Sequence, residues 1–277
     1  MMILFAAALA QATPAQPLRA PQFDLAEYVV GLDAALADAD YNAISEATLK
    51  PASALQAKAS LDWLGMQFNR GASPMIALTY ARLLGAVAQA APGSSGDGLR
   101  GTALAAMIYA AAASSIDDRQ CADRTAWGNR LQQMTPLLQQ SGLLGLDDRN
   151  RRLAAAVALH IEKTTWETRK QADDAAFLCM NGMTAMTAGI AKGSVKEVNP
   201  REGQIGRQMS VKVPDGFRYE RRSNSEWWSE AETLRAAVQA FDPDRYDPDA
   251  IRRHALGWSA ERFQARLRAL VGELAAR

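Results

Sequence analysis

The chain has 277 residues, of which 48% are hydrophobic and 22% charged, with a net charge of +1. That length and balance describe an ordered chain with a full core and exclude a disordered one. A near-neutral charge gives no global field for nucleic acid, so no nucleic-acid partner is expected.

The N-terminal "MMILFAAALAQATPAQP" opens with an apolar run from Ile3 to Ala10, then small-x-small steps at Ala8-Leu9-Ala10 and Ala10-Gln11-Ala12. This pattern reads as a signal peptide over 1–12 and a flexible Pro-rich N-terminus over 13–22, and it predicts a periplasmic or secreted protein. No Lys or Arg precedes the apolar run, and the competing reading is the Ala-rich, frayed end of a cytosolic chain. No later stretch reads as a spanning helix, so no transmembrane segment is expected in the mature chain.

Residues 23–192 read as the main helical domain. Phe23–Asp40 carries Leu25, Tyr28, Val29, Leu32 and Leu36 at helical spacing. Pro51–Asn69 follows, anchored by Trp63, and "GASP" at 71–74 breaks it. Met75–Ala90 has a clean apolar face in Ile76, Tyr80, Leu83, Leu84 and Val87. Together "LDWLGMQFNRGASPMIALTYARLLG" resembles one Sel1/TPR-type helical pair, in Trp63, Gly71, Ala77 and Tyr80, with a looser echo in "GLRGTALAAMIYA" and "AWGNRL". The likeness has no regular period, and no family is assigned from it.

"PGSSGDG" at 92–98 is expected to be a loop. Leu99–Ser115, whose single charge is Arg100, is expected to be a central buried helix. A helix beginning near the N-cap Asp123 would carry Trp127, Leu131, Met134 and Leu138. Arg149–Lys170 follows with a stripe of Leu153, Val157, His160, Ile161 and Thr164. Asp173–Ala191 would then place Ala176, Cys179, Met180, Met183, Thr187 and Ile190 on one buried face.

From Gly193 the texture changes. Residues 193–225 read as loop and β-hairpin, with Pro-Asp-Gly at 214–216 turning between Val211/Val213 and Phe217/Tyr219. Residues 226–277 return to helix and are expected to pack on the main domain: Glu226–Phe241, Asp249–Gly257 and Ser259–Ala276. The fold class is therefore all-α: a multihelical domain of antiparallel helices with one inserted hairpin at about 209–220.

The two cysteines, Cys121 and Cys179, stand 58 positions apart, and the two histidines are His160 and His254. No zinc-ligand spacing and no C-x-x-C occurs. A disulfide in an oxidising compartment agrees with the leader, and closing so long a loop would stabilise by roughly 4 kcal/mol. Two buried free thiols are the competing reading, and a cysteine nucleophile with a nearby histidine stays open.

His160 is expected to be a satisfied core histidine, and His254 to favour a helix C-terminus. Asp117-Asp118, Asp147-Asp148 and Asp173-Asp174 each stand where a helix is expected to begin. Glu162 and Glu167 are expected on a solvated face with Lys163, Arg169 and Lys170. The thioethers of Met180, Met183 and Met186 are a soft-metal donor set in principle, but the stripe assigns them to the core. No cofactor or metal site is expected. G-x-S-x-G, S-x-x-K, H-E-x-x-H, P-loop and G-x-G-x-x-G motifs do not occur, so no catalytic residue is assigned.

The most unusual surface interleaves bases with aromatics: Lys212, Phe217, Arg218, Tyr219, Arg221, Arg222, Trp227 and Trp228. Such a surface suits an anionic polymer or a membrane surface, while the competing reading packs the rings on helices and leaves the arginines solvated. The leading expectation is a non-catalytic binding or scaffolding component of the bacterial cell envelope, with another envelope protein or an anionic envelope polymer as partner. The alternatives are an envelope hydrolase whose residues converge only in three dimensions, and a cytosolic helical adaptor.

Overall fold

A computed structural model of the chain describes residues 23–91, 93–127, 134, 143–172, 175–180, 182–198 and 208–240. The signal peptide, the Pro-rich N-terminus, Leu131, Leu138, the Asp173-Asp174 pair, His254 and the helices expected after residue 241 lie outside them. The fold is all-α with an inserted two-stranded antiparallel hairpin. It divides into two compact units: Met1–Ala110 with Met134–Arg169, and Ala111–Gln133 with Lys170–Arg277.

In the first unit, α1 (Leu25–Ala37), α2 (Tyr41–Leu49), α3 (Ala54–Asn69) and α4 (Pro74–Ala90) pack on one another. Each start carries a hydroxyl or carboxylate cap from Asp24, Asp40, Ser53 or Ser73, which satisfies otherwise orphaned N–H groups. Trp63 is buried and donates its indole N–H to Asp33 Oδ1 at 2.8 Å. The α3–α4 pair is a tight helical hairpin. A Cβ on Gly65 would meet the Tyr80 hydroxyl at 3.0 Å, and the turn residue Gly71 has φ +76°. A side chain there would also overlap Thr165, whose Cβ would lie 2.2 Å away. Helix α2 is absent from the sequence reading, although Asp40 caps it and Tyr41, Ile44 and Thr48 form its buried face.

Helix α5 (Gly93–Asp117) is longer than expected: it begins inside the "PGSSGDG" stretch. Gly96 passes so close to the end of α4 that a Cβ would lie 2.6 Å from the Ala91 carbonyl oxygen, so a glycine-rich sequence here serves close packing rather than a loop. An Arg100–Asp97 ion pair supports the first turns. The helix buries Ala103–Met107, Tyr109, Ala110, Ala113 and Ile116, as its composition predicts. By length and composition Ser95–Gln120 would also suffice to cross a membrane, which the sequence reading did not anticipate, yet 56% of its apolar window is buried inside the protein.

Helix α6 (Asp148–Arg169) is capped by Asp147, whose Oδ1 accepts from Asn150 N–H at 2.8 Å. Of the expected stripe only Ile161 is buried. Leu153 is 61% and Val157 40% exposed, and His160 is exposed rather than in the core. The buried positions are Ala154, Ala158, Ile161, Glu162, Thr165, Trp166 and Arg169. Small alanines let the helix approach closely, and the approach carries two charges inside with it. Glu162 and Arg169 form a buried pair at 3.7 Å, with 0% and 2% of their side chains exposed. The Arg169 guanidinium also lies 5.6 Å from the Tyr109 ring and 5.5 Å from the Trp166 ring. The solvated face expected for Glu162 and Arg169 is therefore corrected.

The second unit is built from short pieces. A 3-10 turn at Asp118–Gln120 ends α5, so Asp117-Asp118 stands at a helix end and is buried, not at an exposed helix start. A second 3-10 turn at Arg124–Ala126 replaces the start of the expected Trp127 helix, and Asp123 caps it as expected. The single helix expected over Asp173–Ala191 is interrupted after α7 (Ala175–Leu178) and resumes as α8 (Met183–Ala191). β1 (Val195–Val198) then pairs with β2 (Gln208–Val211) in the register Val195↔Val211 to Val198↔Gln208. The partner of β2 thus lies upstream, not across the Pro-Asp-Gly turn. That turn does form, with Phe217 N–H donating to Pro214 O at 3.1 Å and Gly216 at φ +76°. It sends 217–220 away from β2, towards the disulfide. α9 (Asn224–Gln239) closes the described chain, and Glu226 accepts from the Ser223 N–H in a capping box.

Candidate functional site at the disulfide

Cys121 and Cys179 are joined by a disulfide with Cα atoms 5.5 Å apart, and both are buried. Around the sulfurs pack Ala126, Leu178, Trp127, Phe177 and Tyr219. A second clamp lies beside the covalent one. Asp123 Oδ2 accepts from Thr184 N–H at 2.8 Å, and Thr125 Oγ1 accepts from Met183 N–H at 2.7 Å. The N-cap of α8 is Gly182, which has no side chain to offer, so residues about sixty positions upstream cap that helix. A Cβ on Gly182 would lie 2.3 Å from Asp123 Oδ2, so a larger residue there would push the capping carboxylate aside. Burial of the Asp123 carboxyl opposes ionisation, but the hydrogen bonds from Thr125 and Thr184 outweigh it and hold the group below its ordinary value.

The expected basic–aromatic surface separates into two sets. Arg221, Arg222 and Trp227 are structural. Arg222 donates a two-pronged bond to Glu230, Nη1 to Oε2 at 2.9 Å and Nη2 to Oε1 at 2.8 Å, and its backbone N–H reaches Gln120 O at 2.8 Å. The same bond holds the Glu230 carboxyl below its ordinary value. Arg221 bridges to Cys121 through the backbone and donates to Ala172 O at 3.5 Å. Trp227 is fully buried, and Trp228 stacks edge-on against it at 6.2 Å with Lys170 above its ring. The Trp127 ring collects three guanidinium groups, from Arg119 at 4.2 Å, Arg124 at 5.3 Å and Arg222 at 5.9 Å. These arginines hold the segments on either side of the disulfide together.

The second set faces outward. Lys212 pairs with Asp215 at 3.2 Å. Phe217 and Tyr219 stand edge-to-face with ring centres 5.0 Å apart, and both are partly exposed. Burial raises the Tyr219 hydroxyl above its ordinary pKa. Arg218 between them is exposed and has no ion pair or hydrogen bond among the described residues. These three residues, with Asp123, Thr184, Ala185 and Cys179, border a cleft of about 260 Å³ next to the disulfide. The cleft offers an aromatic wall, the Arg218 cation, the Asp123 carboxylate already engaged in capping and a second, exposed carboxylate, Glu220. That arrangement can hold an anionic group beside an apolar one.

Among the described residues no group of three or more His, Cys, Asp or Glu side chains is placed to hold a metal ion. Sequence reasoning missed the capping role of Asp123 and Thr125, which no local pattern reveals, because the helix they cap lies about sixty residues downstream. Compared with protein-family models, with curated proteins and with solved structures, the chain matches none.

Proposed function

We propose that the chain is a non-catalytic binding or scaffolding component of an oxidising extracytoplasmic compartment, the bacterial cell envelope. Its contact surface is Phe217–Arg218–Tyr219 at the cleft beside the disulfide. The observation that carries this reading is Arg218, an exposed cation flanked in sequence by two touching aromatic rings, on a segment whose backbone pairs with the chain beside the buried disulfide. The other arginines of the region are engaged in holding the fold. Disulfides persist in oxidising compartments, which supports the proposed location. The ligand this surface suits is a carboxylate- or phosphate-bearing group next to an apolar one, carried by an anionic envelope polymer or an acidic segment of another envelope protein.

A photo-reactive benzoylphenylalanine placed at position 217 in the producing cell tests this directly. The expected result is a discrete covalent adduct to an envelope component, lost when Arg218→Glu is added. Because Arg218 supports no described contact, that change should leave stability within about 0.5 kcal/mol. The same adduct with Arg218→Glu, or no adduct at all, would remove the assignment.

A further inference from the structure

Met180, in the turn before α8, and Met183 and Met186, in α8, stand outside the core. Met180, Met183 and Met186 are 38%, 54% and 38% exposed, while the helix buries Ala185 and Gly189 instead. The reason is steric: α8 lies so close to β2 that a Cβ on Gly189 would be 2.4 Å from Val211 Cγ1, and no long side chain fits on that face. The thioethers are thereby turned to solvent. One exposed methionine needs no explanation. Three in the pattern M-x2-M-x2-M, in a stretch of chain pinned by a disulfide at Cys179, offer three exposed thioether sulfurs.

Met183 and Met186 are neighbours on one helix face, with Cβ atoms about 5–6 Å apart. Long helical side chains lean towards the helix N-terminus, which is the direction of Met180. A turn there closes Cys179 to Gly182, with the Gly182 N–H donating to Cys179 O at 3.2 Å, and Met180 lies within it. Thioether sulfur is a soft ligand that favours Cu(I) over harder cations. A helix N-terminus disfavours a cation, but the Asp123 carboxylate on Thr184 N–H supplies the opposing charge. Neither cysteine competes for the ion, since both sulfurs are in the disulfide.

We propose that Met180, Met183 and Met186 bind one soft monovalent ion, Cu(I), through their thioether sulfurs. The test titrates the full, disulfide-intact chain with Ag(I), and with Cu(I) presented by a chromophoric chelator under ascorbate. One equivalent is expected to bind. Leucine conserves the methionine volume at exposed positions, so the Met180→Leu/Met183→Leu/Met186→Leu chain should keep its circular dichroism. It should lose affinity by roughly 10- to 100-fold or more, the scale on which even outer-shell changes weaken a metal site. Met209→Leu, another exposed thioether, and His160→Ala should bind as the parent does. If the triple variant loses its fold, the single changes Met183→Leu and Met186→Leu carry the test, and each should weaken binding. No uptake by the parent chain, or equal uptake by the thioether variants, would overturn the site.

Discussion

The two units reach stability by different means. The first buries long helical faces: Ile44, Leu64, Phe68, Ile76 and Leu84 are nearly inaccessible, and the buried Glu162–Arg169 ion pair lies beside Trp166 and Tyr109. Among its described residues the second has one long helix, α9, beside short helices, two short strands and two 3-10 turns, and its segments meet through a disulfide, a capping clamp and arginines stacked on Trp127. Helices long enough to cover one another need no staple, because burial grows with each turn. The pieces of three to nine residues that lie between α5 and α9 cannot cover each other in that way, so specific bonds take over. The exposed candidate residues, Arg218 and the three methionines, all belong to the stapled unit.

The comparison breaks first at the buried pair. Glu162→Ala leaves Arg169 without that carboxylate in a dry site and should cost about 3–5 kcal/mol in urea unfolding. Glu162→Leu with Arg169→Met should recover most of that loss, because an apolar pair of similar volume carries no desolvation penalty. In the second unit, Cys121→Ala/Cys179→Ala should cost roughly 3–4 kcal/mol by the same measurement. Gly189→Ala forces a methyl group into Val211 and the Lys212 carbonyl, and should cost about 1–3 kcal/mol. The smallest effect belongs to the clamp: Asp123→Asn should cost about 1 kcal/mol at neutral pH. Because the Asp123 carboxyl sits below its ordinary value of 3.8 in the fold, its stabilisation is complete above that pH and fades as pH falls through the folded value. Acid titration of stability should therefore flatten in Asp123→Asn.

The helical plan was legible because α1, α3 and α4 carry apolar residues at the helical period and α5 is nearly all apolar, and the burial of Trp63 and of most of Ala103–Ile116 follows from it. The failures have local causes. Leu153 and Val157 misled because hydrophobicity suggested one face of α6 while the small Ala154 and Ala158 made another the contact face. Glu162, Thr165, Trp166 and Arg169 share helical spacing, but charge argued for solvent. The methionines of α8 were assigned to the core by a stripe that ran through Cys179, before the break at Gly182 rotated the helix. β1 was missed because "VKEV" does not alternate. The pairing of Cys121 with Cys179 was legible; the division of the arginines into structural and outward sets was not, since partners such as Glu230 and Gln120 are set by the fold.

Hydrogen exchange on the native chain and on the same chain after selective reduction and alkylation tests this division most directly. On reduction α8, the β1–β2 pair and the segment around Tyr219 should lose protection, while α3, α4 and α6 keep theirs. Equal loss in both units, or unchanged protection of α8 after the disulfide is opened, would contradict it.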